Sequence, residues 1–238
     1  MKRIGAALLL ASLSAQSFGA DINFVEQVSE GGAALVVILG LSILALAATI
    51  ERLVHLRTRA VLPPDLLARV EPLWAAHRFD ELEKLLANDG SAMARVIACM
   101  VERRNQPYEV VSRLAGDLAS RELRKHQQKA YALAIVATIA PIVGLLGTVL
   151  GMIEAFHVIA YADAMGNPAL LAGGISKALV NTAAGLTVAL PALGMHHYFK
   201  HRLATLGLAM EGQINALIDR HFLPDPQAPA MRVVQHAN

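Results

Sequence analysis

Three long apolar stretches limit this chain to folds that can live in lipid. Residues 33–54 hold the first, which is uncharged from 33 to 50 and is interrupted only by Gly40, Ser42 and Thr49. It stops at Glu51-Arg52, with His55, Arg57 and Arg59 just beyond. The second fills residues 130–160 and the third residues 170–199. Each reaches or exceeds the roughly 20 residues that a helix needs to cross the hydrocarbon of a bilayer. In lipid every backbone N–H and C=O must be satisfied internally, so stretches of this length are expected to be helices. Composition agrees, since 55% of residues are hydrophobic and only 17% are charged. That is too apolar for an ordinary soluble domain.

The expected fold is therefore an all-α integral membrane protein with three transmembrane helices. Charge sets its orientation. Basic residues follow the first run, precede the second as Arg121, Arg124, Lys125, His126 and Lys129, and close the third as Lys200, His201 and Arg202, whereas the 161–169 link carries only Asp163. Lys and Arg collect on the cytoplasmic side, which predicts an N-terminus outside and a C-terminus inside. Residues 1–20 read as an export signal: Lys2 and Arg3, an apolar core too short to span, then small residues around Ser17, Gly19 and Ala20. Residues 21–32 become a short outer segment and 161–169 an outer loop.

Residues 55–129 turn charged and amphipathic and are expected to form a cytoplasmic helical region. Pro63-Pro64 signals a helix start, and Asn88-Asp89-Gly90 and Asn105-Gln106-Pro107 signal breaks. Leu66, Leu67, Val70 and Leu73 recur at helical spacing, as do Leu82, Leu85 and Leu86. Residues 200–238 are expected to continue as a cytoplasmic helix through Leu203, Leu206, Met210, Ile214 and Leu217, followed by a Pro-rich disordered tail. The single cysteine, Cys99, is expected to be reduced and buried.

Several classes are excluded. A net charge of +2, with the basic residues beside apolar runs, does not suit a nucleic-acid partner. No nucleophile–base set, Walker loop or metal cluster is present, so neither an enzyme nor a cofactor is expected. His197 and His201 lie one turn apart beside His196, yet without an acidic or thiolate ligand nearby they read as interfacial residues and not as a metal site. Tyr131, Tyr161 and Tyr198 sit where interfacial anchors would.

The second span reads Gly144-Leu145-Leu146-Gly147-Thr148-Val149-Leu150-Gly151, and its glycines at helical spacing allow another helix to approach closely. The third reads Ile175-Ser176-Lys177-Ala178-Leu179-Val180-Asn181-Thr182-Ala183-Ala184-Gly185-Leu186. Together with the Glu51-Arg52-Leu53 exit of the first span, these runs resemble the signature segments of the ExbB, TolQ and MotA proton-channel family, with ExbB as the most similar member. The likeness covers residues 33 to about 212. It implies a homo-oligomer, a pentamer in the family, with the second and third spans around a central pore and long cytoplasmic helical extensions. It also implies an ExbD-like single-span partner whose membrane aspartate carries the proton, and a TonB-like protein that relays motion to outer-membrane transporters. Thr148 and Thr182 correspond to threonines that face that carboxylate. Chemically, a hydroxyl both donates and accepts, so it serves either protonation state of an acid without storing the proton itself.

Each candidate also has a plainer reading. Thr148 and Thr182 could bond the carbonyl one turn back, as threonine commonly does in membrane helices. Asn181, one turn after Lys177, belongs either to a polar pore stripe or to interhelical hydrogen bonding between subunits. At Lys177 such sequences typically carry glutamate. The lysine either snorkels to the outer interface or pairs with Glu154 or the partner's aspartate. Glu154, the only carboxylate in the spans proper, is an outer interfacial group or a proton-path residue. Gly144, Gly147, Gly151 and Gly185 are assigned to helix packing, and Pro141 and Pro191 to helix structure. The expected function is an ExbB-like subunit of an inner-membrane motor driven by the proton motive force. A TolQ-type subunit for envelope integrity is the near alternative. A non-conducting oligomeric scaffold or a small-solute transporter would be a different class, the latter disfavoured by the lack of inverted repeats.

Overall fold

The computed structural model describes residues 32–56, 58–161 and 168–222. Every element among them is helical: α1 (Gly32–His55), α2 (Thr58–Val61), α3 (Leu66–Ala75), α4 (Phe79–Ala87), α5 (Ala92–Glu102), α6 (Tyr108–Tyr161) and α7 (Pro168–Phe222). Three of them, α1, α6 and α7, are long and apolar enough to cross a membrane. The export signal at 1–20, most of the 21–32 segment and of the outer loop, and the tail beyond residue 222 lie outside the described residues.

The helices that hold the second and third spans are longer than the apolar runs. α6 has 54 residues and α7 has 55. Charged residues from Arg121 to Lys129 mark a change of solvent but break no backbone hydrogen bond, so α6 runs through them. Its start is set by Pro107, whose carbonyl accepts from Val110 N at 3.0 Å and Val111 N at 3.2 Å. Pro141 and Pro191 both lie inside their helices.

The chain divides into two compact units. The first holds described residues 32–47, 133–161 and 168–194. Its interior is built from small side chains. On α6 the buried positions are Leu133, Val136, Ala140, Gly144, Gly147, Gly151 and Ala155; on α7 they are Ala178, Asn181, Gly185, Ala189 and Ala192. Steps of three and four residues put each set on one helix face. From α1, Leu35, Ile38 and Ala45 are buried. Large side chains point away, with Ile43 70%, Ile142 60% and Leu190 66% exposed.

The second unit holds residues 48–132 and 195–222. Its core is conventional: Leu66, Val70, Trp74, Leu82, Leu86, Met93, Ile97, Met100, Phe199, Met210 and Ile218 are all buried. Local signals place its short helices. Ser91 caps α5 by accepting from Ala94 N at 3.1 Å, and Asp89 Oδ1 accepts from Ser91 N at 2.9 Å. Asp80 and Glu81 occupy the first turn of α4, where negative charge favours the helix dipole. Cys99 on α5 is half-buried, not fully buried as expected, because it lies at the rim of the face that packs Met100 and Val96.

Two polar features join distant segments of this unit. Glu122 is buried and accepts from Arg95 Nη2 at 2.5 Å and Lys125 Nζ at 2.6 Å. Burial alone raises its pKa, but the two cations outweigh that and hold the carboxyl below its ordinary value. Trp74 stacks on His221 with ring centroids 4.9 Å apart, and Phe222 and Phe79 meet the indole edge-on. Burial, then the neighbouring Arg220, push His221 below its usual pKa. His126 is lowered by burial, then by Arg52 and Lys129.

Candidate functional site

The candidate residues all fall in the first unit, where α6 and α7 approach closely enough that glycine is the only side chain several positions accept. A Cβ at Gly144 would lie 2.8 Å from the Asn181 carbonyl oxygen and 3.1 Å from the Thr182 Cα. At Gly185 it would lie 2.6 Å from the Ala140 carbonyl oxygen. Backbone atoms cannot rotate out of the way. Gly147 is the point where three helices meet, since its Cβ would crowd Asn181 Cβ at 2.8 Å and Ala34 Cβ on α1 at 2.9 Å. Gly151 is looser, with Ala178 Cβ at 3.2 Å. Gly174, which sequence spacing does not single out from Gly173, would collide with the Ala155 side chain, while Gly173 has open space.

This packing decides what the polar residues can do. The Thr182 hydroxyl donates across the interface to the Gly144 carbonyl at 3.2 Å. Thr148 instead donates to the Leu145 carbonyl in its own helix at 2.6 Å, and it is half-exposed. Both hydroxyl protons are engaged by backbone oxygens. The hydroxyl oxygens keep lone pairs that can accept. Asn181 is only 2% exposed and lies against Gly147, inside the three-helix contact. Its Oδ1 has no hydrogen-bond partner among the described residues. The structure thus puts Asn181 between helices of one chain and not on an open face.

Lys177 and Glu154 are brought together, with Nζ and Oε2 3.3 Å apart. Lys177 is the more enclosed, its side chain 29% exposed against 67% for Glu154. One turn beyond Glu154 on α6 stands His157, also exposed, which sequence reading did not single out. Its three-residue offset from Glu154 was the available signal. Pro141 is half-buried and Pro191 exposed. His196 Nδ1 lies 3.4 Å from the Ala130 carbonyl oxygen, and its ring meets that of His197 edge-on at 5.5 Å.

Three long apolar helices, small residues at their contacts and large ones facing out, define a multi-pass membrane protein. The profile of the MotA/TolQ/ExbB proton channel family matches residues 84–212, which include both glycine-bearing spans. A putative biopolymer transport protein, ExbB-like 3, from Synechocystis sp. is 32% identical over 203 residues, covering 83% of this chain and 95% of the relative. The biopolymer transport protein exbB1 of Vibrio cholerae is 31% identical over 113 residues, 48% of this chain and half of that one. The biopolymer transport protein ExbB of Salmonella typhimurium is 42% identical over 79 residues, 32% of each chain. This chain belongs to the MotA/TolQ/ExbB proton channel family.

Proposed function

We propose that the chain is an ExbB-like subunit of a proton-driven motor in the bacterial inner membrane, with its N-terminus outside and its C-terminus in the cytoplasm. Several copies, five by analogy with the family, surround a pore that holds single-span helices of an ExbD-like partner. The partner's membrane aspartate carries the proton, and a TonB-like protein passes the resulting motion to transporters of the outer membrane. The ExbB names of the relatives favour this reading over a TolQ-type role in envelope integrity.

One observation carries the proposal. Among the described residues of the second and third spans, Thr148 and Thr182 offer hydroxyl oxygens, but Glu154 is the only carboxylate and it is paired with Lys177. A chain of a proton-channel family built this way supplies a lining and draws the main titratable group from elsewhere. With its proton held by a backbone oxygen, each threonine is set to accept from a protonated acid. Turning the hydroxyl to donate to a carboxylate exchanges one hydrogen bond for another, a difference of about 1 kcal/mol. Such a small gap lets one side chain meet both states of a moving carrier. Each proton crossing gains about 2.3 kcal/mol per 100 mV of membrane potential.

Proton flux into vesicles tests the proposal. The chain reconstituted with an ExbD-like partner is expected to conduct, and the chain alone is not. Conduction without the partner, or none with it, rejects the reading. A non-conducting scaffold gives no flux in either case, and a solute transporter gives uptake that needs no partner.

A further inference from the structure

We infer that Glu154 is a second proton-binding group of this channel, a collecting site at the end of α6 nearest the 162–167 link, with Lys177 as its positioning residue and His157 beside it. The inference rests on the proton-channel reading above.

Within residues 130–160 and 170–199, Glu154 is the only carboxylate and Lys177 the only amine or guanidinium among the described residues. Two opposite charges in an apolar region are expected to neutralise each other, and they meet at 3.3 Å. That separation exceeds the roughly 2.7–2.9 Å of a tight charge-assisted hydrogen bond. The pair uses Glu154 Oε2, and two thirds of the Glu154 side chain stays open, its exposure being 67%. An ionised group left open in this way is costly against lipid tails, so this edge of α6 faces water or a polar partner. Its neighbours Leu150, Ile153 and Phe156 are also exposed, which sets the carboxylate in an apolar rim. His157 adds a second proton-exchanging side chain on the same helix face.

The chemistry is simple. The exposed carboxylate of Glu154 takes a proton from hydronium, leaving water, and becomes a carboxylic acid, while Lys177 transfers no proton. Passing that proton to the next acceptor restores the carboxylate and the ion pair. Lys177 holds the carboxylate in one place between the two events. This role differs from that of Thr148 and Thr182, whose hydroxyls keep their protons and take up no further one.

The test is proton flux by the full chain with its ExbD-like partner in vesicles that enclose a pH-sensitive dye, with size-exclusion chromatography to confirm assembly. Glu154→Gln should lower flux by about 100-fold, the smaller end of what a proton-transferring side chain contributes. Glu154→Asp should keep most of the flux, and Lys177→Arg should keep what Lys177→Gln loses. The double change Glu154→Gln with Lys177→Gln is decisive, because it removes both charges while leaving a neutral, similarly shaped pair. If the assembled double variant conducts like wild type, the pair is only a structural clasp and the inference is overturned. Low flux from an assembled double variant supports it. Absence of flux in the wild-type complex instead overturns the function proposed above.

Discussion

The two units of this chain bury opposite things. The first encloses mainly glycine and alanine and turns Ile43, Leu46, Ile142 and Leu190 outward; the second encloses Leu, Met and Trp and turns most of its charges outward, with Arg52 and Glu122 as buried exceptions. In water the gain comes from removing large apolar groups from solvent. Where lipid surrounds the helices that gain vanishes, because the tails are as apolar as leucine, and backbone approach becomes the source of attraction. The contrast teaches that one rule of size, read without knowing the solvent, would have inverted the first unit.

Truncating large residues should break the comparison most visibly. Leu82→Ala, in the second unit, is expected to cost about 2–5 kcal/mol. Leu145→Ala, at 60% exposure in the first, should cost far less. Chemical denaturation of the detergent-solubilised protein measures both, and equal losses would contradict the division drawn here. Adding a methyl group reverses the ranking. Gly185→Ala forces a contact with a backbone oxygen and should cost about 1–3 kcal/mol, whereas Gly173→Ala should be neutral or stabilising by up to about 1 kcal/mol. Thermal unfolding with a subunit-assembly assay reads the pair of variants.

Charge sharpens the second unit further. Glu122→Gln should destabilise by about 1–3 kcal/mol at neutral pH by weakening its bonds to Arg95 and Lys125. Because the folded carboxyl titrates below its ordinary value of 4.5, its contribution is complete above that pH and is lost as pH falls through the lower folded value. The variant should flatten that part of the stability profile. The smallest effect belongs to the histidines. His126 and His221 both titrate below 6.5 when folded, so their contribution is complete above 6.5 and disappears as pH falls through their folded values. Replacing His221 with Gln should weaken the slope in that range, as measured by unfolding at several pH values.

Much of the fold was legible because it depends on local pattern. The three apolar runs announce the three long helices, and Asn88-Asp89-Gly90 and Asn105-Gln106-Pro107 coincide with the gaps on either side of α5. The continuation of α7 through Leu217 was legible in its apolar spacing, but the reach of α6 back to Tyr108 was harder to see, since a change from apolar to charged residues ends a span without ending a helix. At the candidate site, the sequence could show that Gly173 and Gly174 were small but not which one met Ala155; helix rotation decides that. The same holds for Asn181, whose polarity fits either an open stripe or a contact between subunits, while its rotation puts it against Gly147 of the same chain. The pairing of Lys177 with Glu154 is legible because they are the sole opposite charges among the described residues of the second and third spans. The contact of Trp74 with His221 was invisible, because nothing local links residues so far apart in sequence.

That aromatic contact has a practical consequence. The chain contains one tryptophan, and it lies under an imidazole at 4.9 Å. Intrinsic emission therefore comes from a single place, and it reports the surroundings of that one ring. Fluorescence of the unlabelled protein becomes an optical gauge of whether the last turn of α7 remains seated against α3.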